Sequence, residues 1–151
     1  MATLYDTANW MINNGTEVTN KKLQKLVYYT YAWFIALNNE SKDNIENRFF
    51  EARFEAWVHG AVCPDLYDKY KKYGSKKIPC QKSTGASFSA DELDVLEQVR
   101  DVYDKYNGNE LESICHQESP WINARAGLQP YEPSHNVISD ADIYECYAAR
   151  L

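Results

Sequence analysis

The sequence predicts a mainly α fold, in which a single domain over residues 1–151 forms a helical bundle around one central helix. Three observations lead to this prediction. Residues 19–37 form an uninterrupted amphipathic segment with a wide apolar stripe. Capping patterns recur along the rest of the chain and mark several shorter helices. Strand-like alternation is confined to residues 49–58, so at most a small β element is expected there.

The central helix is predicted over residues 19–37. Apolar or weakly polar residues recur there at steps of three and four, which places the following side chains on one helical face: Leu23, Leu26, Val27, Thr30, Tyr31, Phe34 and Leu37. Thr19 is an N-cap candidate, and neither Gly nor Pro interrupts the segment. Tyr28, Tyr29 and Trp33 widen the apolar stripe. A helix of this kind is expected in the middle of a fold, in contact with other elements on several sides.

The other elements of the first half are shorter. Residues 3–13 predict an amphipathic helix that begins at the cap Thr3 and ends before Gly15. Residues 49–58 predict a short strand from the alternation of Phe50, Ala52, Phe54, Ala56 and Val58. A helical interpretation, which would group Phe50, Phe54 and Trp57, stays open. Pro64 suits the first turn of a helix over residues 65–73.

The second half of the chain predicts four helices from their capping residues. Ser89 and Glu92 form a capping-box pattern at the start of a helix that runs to Tyr106. Two short helices follow, at residues 110–117 and 121–126. A last helix, capped by the Ser139–Asp142 pattern, ends at Ala149.

Charge narrows the classes of partner. The net charge is −6 at pH 7 and the pI is near 5.1. Residues 101–151 hold nine acidic and three basic side chains. A nucleic-acid-binding surface needs a basic balance, so a nucleic-acid partner is disfavoured. A lysine-rich run over residues 69–82 predicts either a solvated face or a docking point for an acidic partner.

Cytoplasmic localisation without membrane contact is expected. The N-terminal residues lack the basic and apolar regions of a secretory signal, and no apolar segment is long enough to span a bilayer. Cys63, Cys80, Cys115 and Cys146 are widely spaced without a CxxC pair, which predicts free thiols. No metal or other cofactor is expected, because the spacing of the cysteines and histidines does not match a zinc site.

The sequence contains no Gly-rich phosphate loop, no GxSxG elbow and no HExxH motif. Cys115 and His116 are adjacent, so on a helix their side chains would point about 100° apart, which is poor geometry for a nucleophile and its base. Cys63 and His59 can approach each other across a turn. The residues alone favour a non-enzymatic helical domain, with an uncharacterised enzyme site near His59, Cys63 or His116 as the alternative.

Three segments, taken in order, carry a family resemblance. They are KLQKLVYY at residues 22–29 followed by Trp33, EAWVHGAVCPDLY at residues 55–67, and HQESPW at residues 116–121 followed by Ala124 and Arg125. In this order and spacing they resemble the Panacea domain family of GepA-like and SocA-like phage-associated antitoxin proteins. The resemblance covers about residues 4–148. Two departures lie in the second segment, where Ala61 stands at a position that is usually Pro and Cys63 precedes Pro64.

The resemblance implies an antitoxin of a toxin–antitoxin pair, encoded on a phage or mobile element. Such a protein neutralises a protein toxin from a neighbouring gene by direct binding. One branch of the family acts as an adaptor that presents its toxin to a host protease, and this alternative stays open, as does the oligomeric state. The family has no established catalytic residues, so a binding protein rather than an enzyme is predicted.

The candidate partner contacts lie in the same three segments. They are Lys22, Gln24, Tyr28 and Tyr29 in the central helix, Trp57, His59, Gly60, Pro64 and Tyr67 around the Gly turn, and Trp121. In the central helix only side chains that are exposed are expected to contact a partner, whereas buried ones should support the fold. Trp57 has two interpretations: it anchors the turn in the core, or it borders a groove that recognises the partner.

Overall fold

The computed structural model describes residues 2–151, which form seven α-helices, one 3₁₀ turn and one β-hairpin. In chain order the elements are α1 (Leu4–Asn14), α2 (Asn20–Asn38), β1 (Glu55–Trp57), β2 (Gly60–Val62), α3 (Pro64–Tyr70), the 3₁₀ turn (Lys71–Tyr73), α4 (Ala90–Tyr103), α5 (Gly108–His116), α6 (Ser119–Ala124) and α7 (Asp140–Ala148). The predicted mainly α architecture with a small β element is confirmed.

Helix α2 is the centre of the fold, as predicted. It contacts helices α1, α3, α4, α5 and α7 as well as strand β2. Its N-cap is Thr19, whose hydroxyl accepts a hydrogen bond from the backbone N–H of Lys22 at 3.3 Å. Of its 19 residues, 14 are buried. A helix buried over this much of its circumference places polar as well as apolar side chains inside the protein.

The β element lies further along the chain than predicted. Strands β1 and β2 pair antiparallel, with Glu55 opposite Val62, so residues 49–54 of the predicted strand lie outside the ladder. Their aromatic side chains are nevertheless buried: Phe49, Phe50 and Phe54. The ladder cannot extend in that direction, because β2 is followed closely by Pro64, which has no backbone N–H and begins α3.

The helix ends shift where one residue has two possible roles. Helix α4 ends at Tyr103 rather than Tyr106, and α5 begins at Gly108 rather than Glu110. Asn107 explains both differences. The predicted α4 ended directly before Asn107, but the Asn107 side chain accepts a hydrogen bond from the backbone N–H of Glu110 at 2.8 Å and forms the capping box of α5.

The connection after α6 completes the surroundings of the hairpin. The backbone N–H of Ala56 donates to the carbonyl oxygen of Asn136 at 2.9 Å, and that of Ile138 donates to Phe54 at 2.8 Å. Residues 136–138 therefore lie against β1 on the side away from β2. Across residues 2–151, no helix combines the length and the apolar character needed to cross a membrane.

Candidate partner-binding surface

Lys22, in the first of the three segments, is buried and joins α2 to the end of α4. Its Nζ donates to the carbonyl oxygens of Thr16 and Asp104 at 2.6 and 2.7 Å, and it lies 3.0 Å from the Asp104 carboxylate. Burial alone would raise the pKa of Asp104, but hydrogen bonds from Thr16 and Lys22 lower it below its ordinary value. Lys22 therefore stabilises the fold and presents almost no surface to a partner.

Gln24 and Lys25 support the hairpin from the core. Gln24 Oε1 accepts a hydrogen bond from the backbone N–H of Cys63 at 3.1 Å. Lys25 is fully buried, and its Nζ donates to the carbonyl oxygen of Ala61 at 3.1 Å. This burial lowers the pKa of Lys25 to about 8. The lysine lies directly beneath Gly60, where a Cβ atom would come within 2.6 Å of Lys25 Cε.

A buried carboxylate connects the tyrosines of the first segment to α7. Glu118 Oε1 accepts hydrogen bonds from the hydroxyls of Tyr29 at 2.7 Å and Tyr147 at 2.9 Å, and Oε2 lies 2.8 Å from a guanidinium nitrogen of Arg150. Tyr28 lies 3.4 Å from the Tyr147 hydroxyl. Burial raises the pKa of all three tyrosines, so their hydroxyls stay neutral. Tyr28 and Tyr29 are therefore part of the core.

Side chains of the third segment bind successive carbonyl oxygens of the hairpin. The three contacts are Trp121 Nε1 with Trp57 O at 2.8 Å, His116 Nε2 with Val58 O at 2.8 Å, and Arg125 Nη1 with Ala56 O at 3.2 Å. His116 also stacks on Trp121, with ring centroids 4.1 Å apart. Burial lowers the pKa of His116, and its contact with a carbonyl oxygen requires that Nε2 carry the hydrogen.

These contacts fix the backbone of the hairpin. Side chains from α2, α5 and α6, together with Arg125 directly after α6, bind the carbonyl groups of residues 56, 57, 58 and 61. The hairpin cannot shift without breaking several of these hydrogen bonds, all of which are buried or partly buried. The three segments that carry the resemblance thus meet in one place, where two of them hold the third.

Five exposed or half-buried side chains of the hairpin, its junction with α3 and the adjoining segment are together called the hairpin surface: Trp57, His59, Pro64, Tyr67 and His135. The Trp57 ring packs edge-on against Tyr67 at 5.1 Å and against His135 at 5.8 Å between centroids. Trp57, Pro64 and Tyr67 are half-buried, whereas the side chains of His59 and His135 are 69% and 78% exposed. Accessible aromatic side chains are enriched at the centres of protein interfaces.

A carboxylate orients His59. Its Nδ1 lies 2.9 Å from Glu112 Oε1, and Lys21 Nζ lies 2.6 Å from the same oxygen. Burial alone would raise the pKa of Glu112, but Lys21 and His59 lower it below its ordinary value. The carboxylate therefore stays ionised and holds the imidazole in one orientation.

A second carboxylate orients the other end of the hairpin surface. Glu55 Oε1 accepts a hydrogen bond from Trp57 Nε1 at 2.9 Å and lies 3.2 Å from His135 Nδ1. Arg53 lies 3.4 Å from the other oxygen of the same carboxylate. The Glu55 side chain is only 8% exposed, so it acts as a support beneath more accessible groups.

Comparison with known protein families identifies the family of this chain. The family model described as antitoxin SocA-like, Panacea domain, matches residues 23–122. The chain belongs to this family. No curated protein and no solved structure matches the chain. The predicted resemblance is therefore confirmed, and family membership assigns the chain an antitoxin-like role in general terms.

The part of this Panacea domain that the family model matches contains most of α2, the hairpin, α3 to α5 and the first four residues of α6. Helix α7 lies outside the matched residues. The hydrogen bonds from Tyr147 and Arg150 to Glu118 tie that last helix to the matched region.

The enzyme alternative placed a site near His59, Cys63 or His116, but in this Panacea domain the three side chains make separate contacts. Cys63 is buried, which raises the pKa of its thiol. His59 faces Glu112, and His116 donates to a backbone carbonyl. Among residues 2–151 no hydrogen bond joins Cys63 to either histidine, and no cluster of three or more His, Cys, Asp or Glu side chains is arranged to hold a metal ion. The antitoxin-like family suggests a non-enzymatic role.

The structure divides the predicted contact residues into two groups. The buried ones are Lys22, Gln24, Tyr28, Tyr29, Gly60 and Trp121. The candidates in the central helix were expected to contact a partner only if exposed. All four are buried, because α2 is covered by other elements over most of its circumference. Trp57, His59, Pro64 and Tyr67 are accessible, and their contact with a partner stays a prediction. Sequence reasoning missed His135, which lies 80 positions from Glu55 and gives no local signal.

Proposed function

We propose that this Panacea domain is the antitoxin of a phage or mobile-element toxin–antitoxin pair. It acts in the cytoplasm and neutralises the protein toxin of the adjacent gene by binding it directly at the hairpin surface. Family membership supports the antitoxin role. The four free cysteines suit a reducing compartment.

The observation that carries the proposal is the contrast between a fixed backbone and accessible side chains. The hairpin carbonyls of residues 56, 57, 58 and 61 are bound from within. The aromatic rings of Trp57 and Tyr67 lie outside these contacts and are half-buried. A surface held in one conformation before binding loses little conformational entropy when it binds. Tyr and Trp add large contact area with polar groups for specific recognition.

Co-expression with the adjacent gene tests this function. The neighbouring gene is induced with and without this chain, growth is scored, and a tagged copy of the chain is used to co-purify the neighbouring product. We expect growth arrest without the chain, growth with it, and a co-purified complex. A harmless neighbour, or a toxic neighbour that this chain does not relieve, would contradict the proposal.

Two surface variants then locate the site. Tyr67→Ala and His59→Ala remove accessible groups of the hairpin surface, and we expect each to weaken toxin binding at least tenfold while the melting temperature changes by only a few degrees. Tyr144→Ala on α7, a half-buried tyrosine outside the hairpin surface, is the matched control and should bind normally. If all three variants bound the toxin as tightly as the wild type, the toxin would bind outside the hairpin surface.

The fate of the bound toxin separates two routes of neutralisation. Sequestration leaves the toxin level unchanged in cells that contain the antitoxin. An adaptor that presents the toxin to a host protease lowers that level, and deletion of the protease then restores both the toxin and its toxicity. Immunoblots of the toxin after synthesis is blocked distinguish these outcomes.

A further inference from the structure

A second accessible feature is an apolar groove between the C-terminal part of α2 and helix α4. Its lining residues include Trp33, Leu37, Gln98, Val102 and Tyr103. Leu37 is 45% exposed and Val102 is 53% exposed. Apolar side chains that are exposed together along a groove indicate an interaction site, whereas isolated ones are ordinary on protein surfaces.

The floor of the groove is rigid. Trp33 Nε1 donates a hydrogen bond to the hydroxyl of Tyr103 at 2.9 Å. Tyr103 stacks on Tyr29, with ring centroids 4.1 Å apart and planes 7° from parallel. Tyr29 is itself bonded to the buried Glu118. These rings cannot rotate to fill the groove without losing a buried or partly buried hydrogen bond, so the groove is open before any partner arrives.

The size of the groove favours side chains over a separate small molecule. Its volume is about 180 Å³, which is below the roughly 300–1,000 Å³ of pockets that enclose drug-sized ligands. A shallow apolar groove along a helix suits a second helix, which inserts anchor side chains spaced by three and four residues.

Acidic side chains border the groove on its outer side. Gln98 lines the groove, and its amide nitrogen donates to Asp94 Oδ2 at 2.7 Å. Asp101 lies one turn beyond Gln98, and Asp91 lies one turn before Asp94, along the same side of α4. All three aspartates are exposed. One of them, Asp101, lies 3.2 Å from Arg100 and is partly neutralised.

We propose that this groove receives an amphipathic helix of the toxin, with apolar anchors on one face and Lys or Arg beside them. The inference rests on the proposed function for the identity of the partner. The chemistry of the helix follows from the groove itself, because apolar anchors match Leu37 and Val102 while basic flanks match Asp91 and Asp94. A second copy of this chain fits poorly, because symmetric packing of α4 on itself would bring the acidic borders together.

The groove and the hairpin surface can be tested separately. Lys25 lies beneath the hairpin and Leu37 lines the groove, and these two positions of α2 are about 18 Å apart at a rise of 1.5 Å per residue. Leu37 and Val102 also have exposed side chains, so their replacement by Glu leaves the buried core in place.

The probe is a synthetic helical peptide of Leu and Lys, with Leu at steps of three and four. Its binding to the full chain is measured by calorimetry and by tryptophan fluorescence. We expect Val102→Glu and Leu37→Glu to weaken binding at least tenfold. Ile122→Glu is the matched control, because it adds the same charge at a side chain that is 47% exposed on α6 and does not line the groove. It should bind within twofold of the wild type.

The acidic border has its own controls. A peptide with Glu in place of Lys should bind at least tenfold more weakly than the Leu–Lys peptide. Asp94→Asn should weaken binding of the Leu–Lys peptide and reduce the salt dependence of that binding. Asp68→Asn, at an exposed position on α3, should change neither quantity.

The outcomes distinguish failure of this inference from failure of the proposed function. Equal peptide binding by wild type, Val102→Glu and Ile122→Glu, or no binding at all, would overturn the inference. A wild-type dimer that Val102→Glu dissociates would also overturn it. If the chain neutralises the toxin and Val102→Glu does so with equal affinity, the groove is not a toxin site although the function stands. If the wild type does not neutralise the neighbour, the function fails while the peptide measurements still decide the chemistry of the groove.

Discussion

Lys25 shows how a charged residue of the first segment serves the fold at the scale of a single side chain. It is fully buried, with one hydrogen bond to the carbonyl oxygen of Ala61. A buried ammonium group is costly, because the low-dielectric interior disfavours its charged form. The lowered pKa of Lys25 expresses this cost and makes the stability of the protein depend on pH.

The first prediction follows from this pKa, which burial lowers from 10.5 to about 8. Between these values the unfolded chain binds more protons than the folded chain, so the free energy of unfolding rises with pH. For Lys25 alone the rise is about 1 kcal/mol between pH 8 and 9. The thiol of Cys115 acts in the opposite direction as the pH passes 9, because burial raises its pKa to about 12. Urea unfolding of wild type and Lys25→Met at pH 7, 8 and 9 isolates the lysine.

Between pH 8 and 9, the free energy of unfolding of the wild type should rise by about 1 kcal/mol more than that of Lys25→Met. Lys76→Met, at an exposed lysine, is the control and should follow the wild type at every pH. A constant difference between wild type and Lys25→Met over this range would show that Lys25 titrates at its ordinary pKa.

The second prediction concerns Tyr29→Phe, which removes one donor from the buried carboxylate of Glu118. A hydrogen bond to a charged group contributes about 1.5–3 kcal/mol, so the free energy of unfolding should fall by about that amount. Tyr131→Phe is the control, since that ring is 77% exposed, and its change should stay within about 0.5 kcal/mol. Equal stability of the two variants would mean that the Tyr29 hydroxyl contributes nothing to the fold.

At the scale of elements, the hairpin depends on close packing between its turn and α2. Gly60 has a φ of +104°, which strongly favours glycine, and a Cβ there would lie 2.6 Å from Lys25 Cε. The lysine cannot move aside freely, because it is buried and bonded to Ala61. Backbone conformation and packing therefore both select glycine at this position.

The third prediction is that Gly60→Ala lowers the free energy of unfolding by more than backbone strain alone, which is about 1–3 kcal/mol. Gly127→Ala is the matched control, because Gly127 has a φ of +81° but no atom within 4 Å of its added Cβ. In a Lys25→Ala background the extra cost of Gly60→Ala should largely disappear, with a coupling energy of about 0.5–3 kcal/mol. Additive effects of the two substitutions would show that the lysine does not confine the turn.

Local signals predicted the elements better than they predicted the site. The position of α2 and the caps at Thr19 and Ser89 follow from residues a few positions apart. The burial of Lys22 and Gln24 does not, because a polar residue is turned inward only when distant backbone groups are available to bind it. The pairing of His135 with Glu55 likewise depends on the return of the chain past β1. The spacing of residues in the sequence does not predict such contacts.

At the scale of the whole molecule, both candidate surfaces are built on α2. Its first two turns support the hairpin through Gln24 and Lys25, and its last turns line the apolar groove through Trp33 and Leu37. Substitutions of buried residues in α2 will therefore destabilise the fold and disturb both surfaces. Only accessible side chains can separate binding from folding in this protein.

The fourth prediction concerns the distribution of stability, measured by hydrogen exchange of backbone amides. Residues 28–32 of α2 are all buried and lie at the centre of the fold, so their amides should exchange only through global unfolding. Residues 82–87 are exposed and lack helix and strand, so they should exchange nearly as fast as an unfolded chain. Tyr29→Phe should lower the opening free energy at residues 28–32 by the same amount as the free energy of unfolding. It should leave residues 82–87 unchanged. If α2 instead exchanged faster than α4 or α7, it would open locally, and it would not be the element around which this Panacea domain is built.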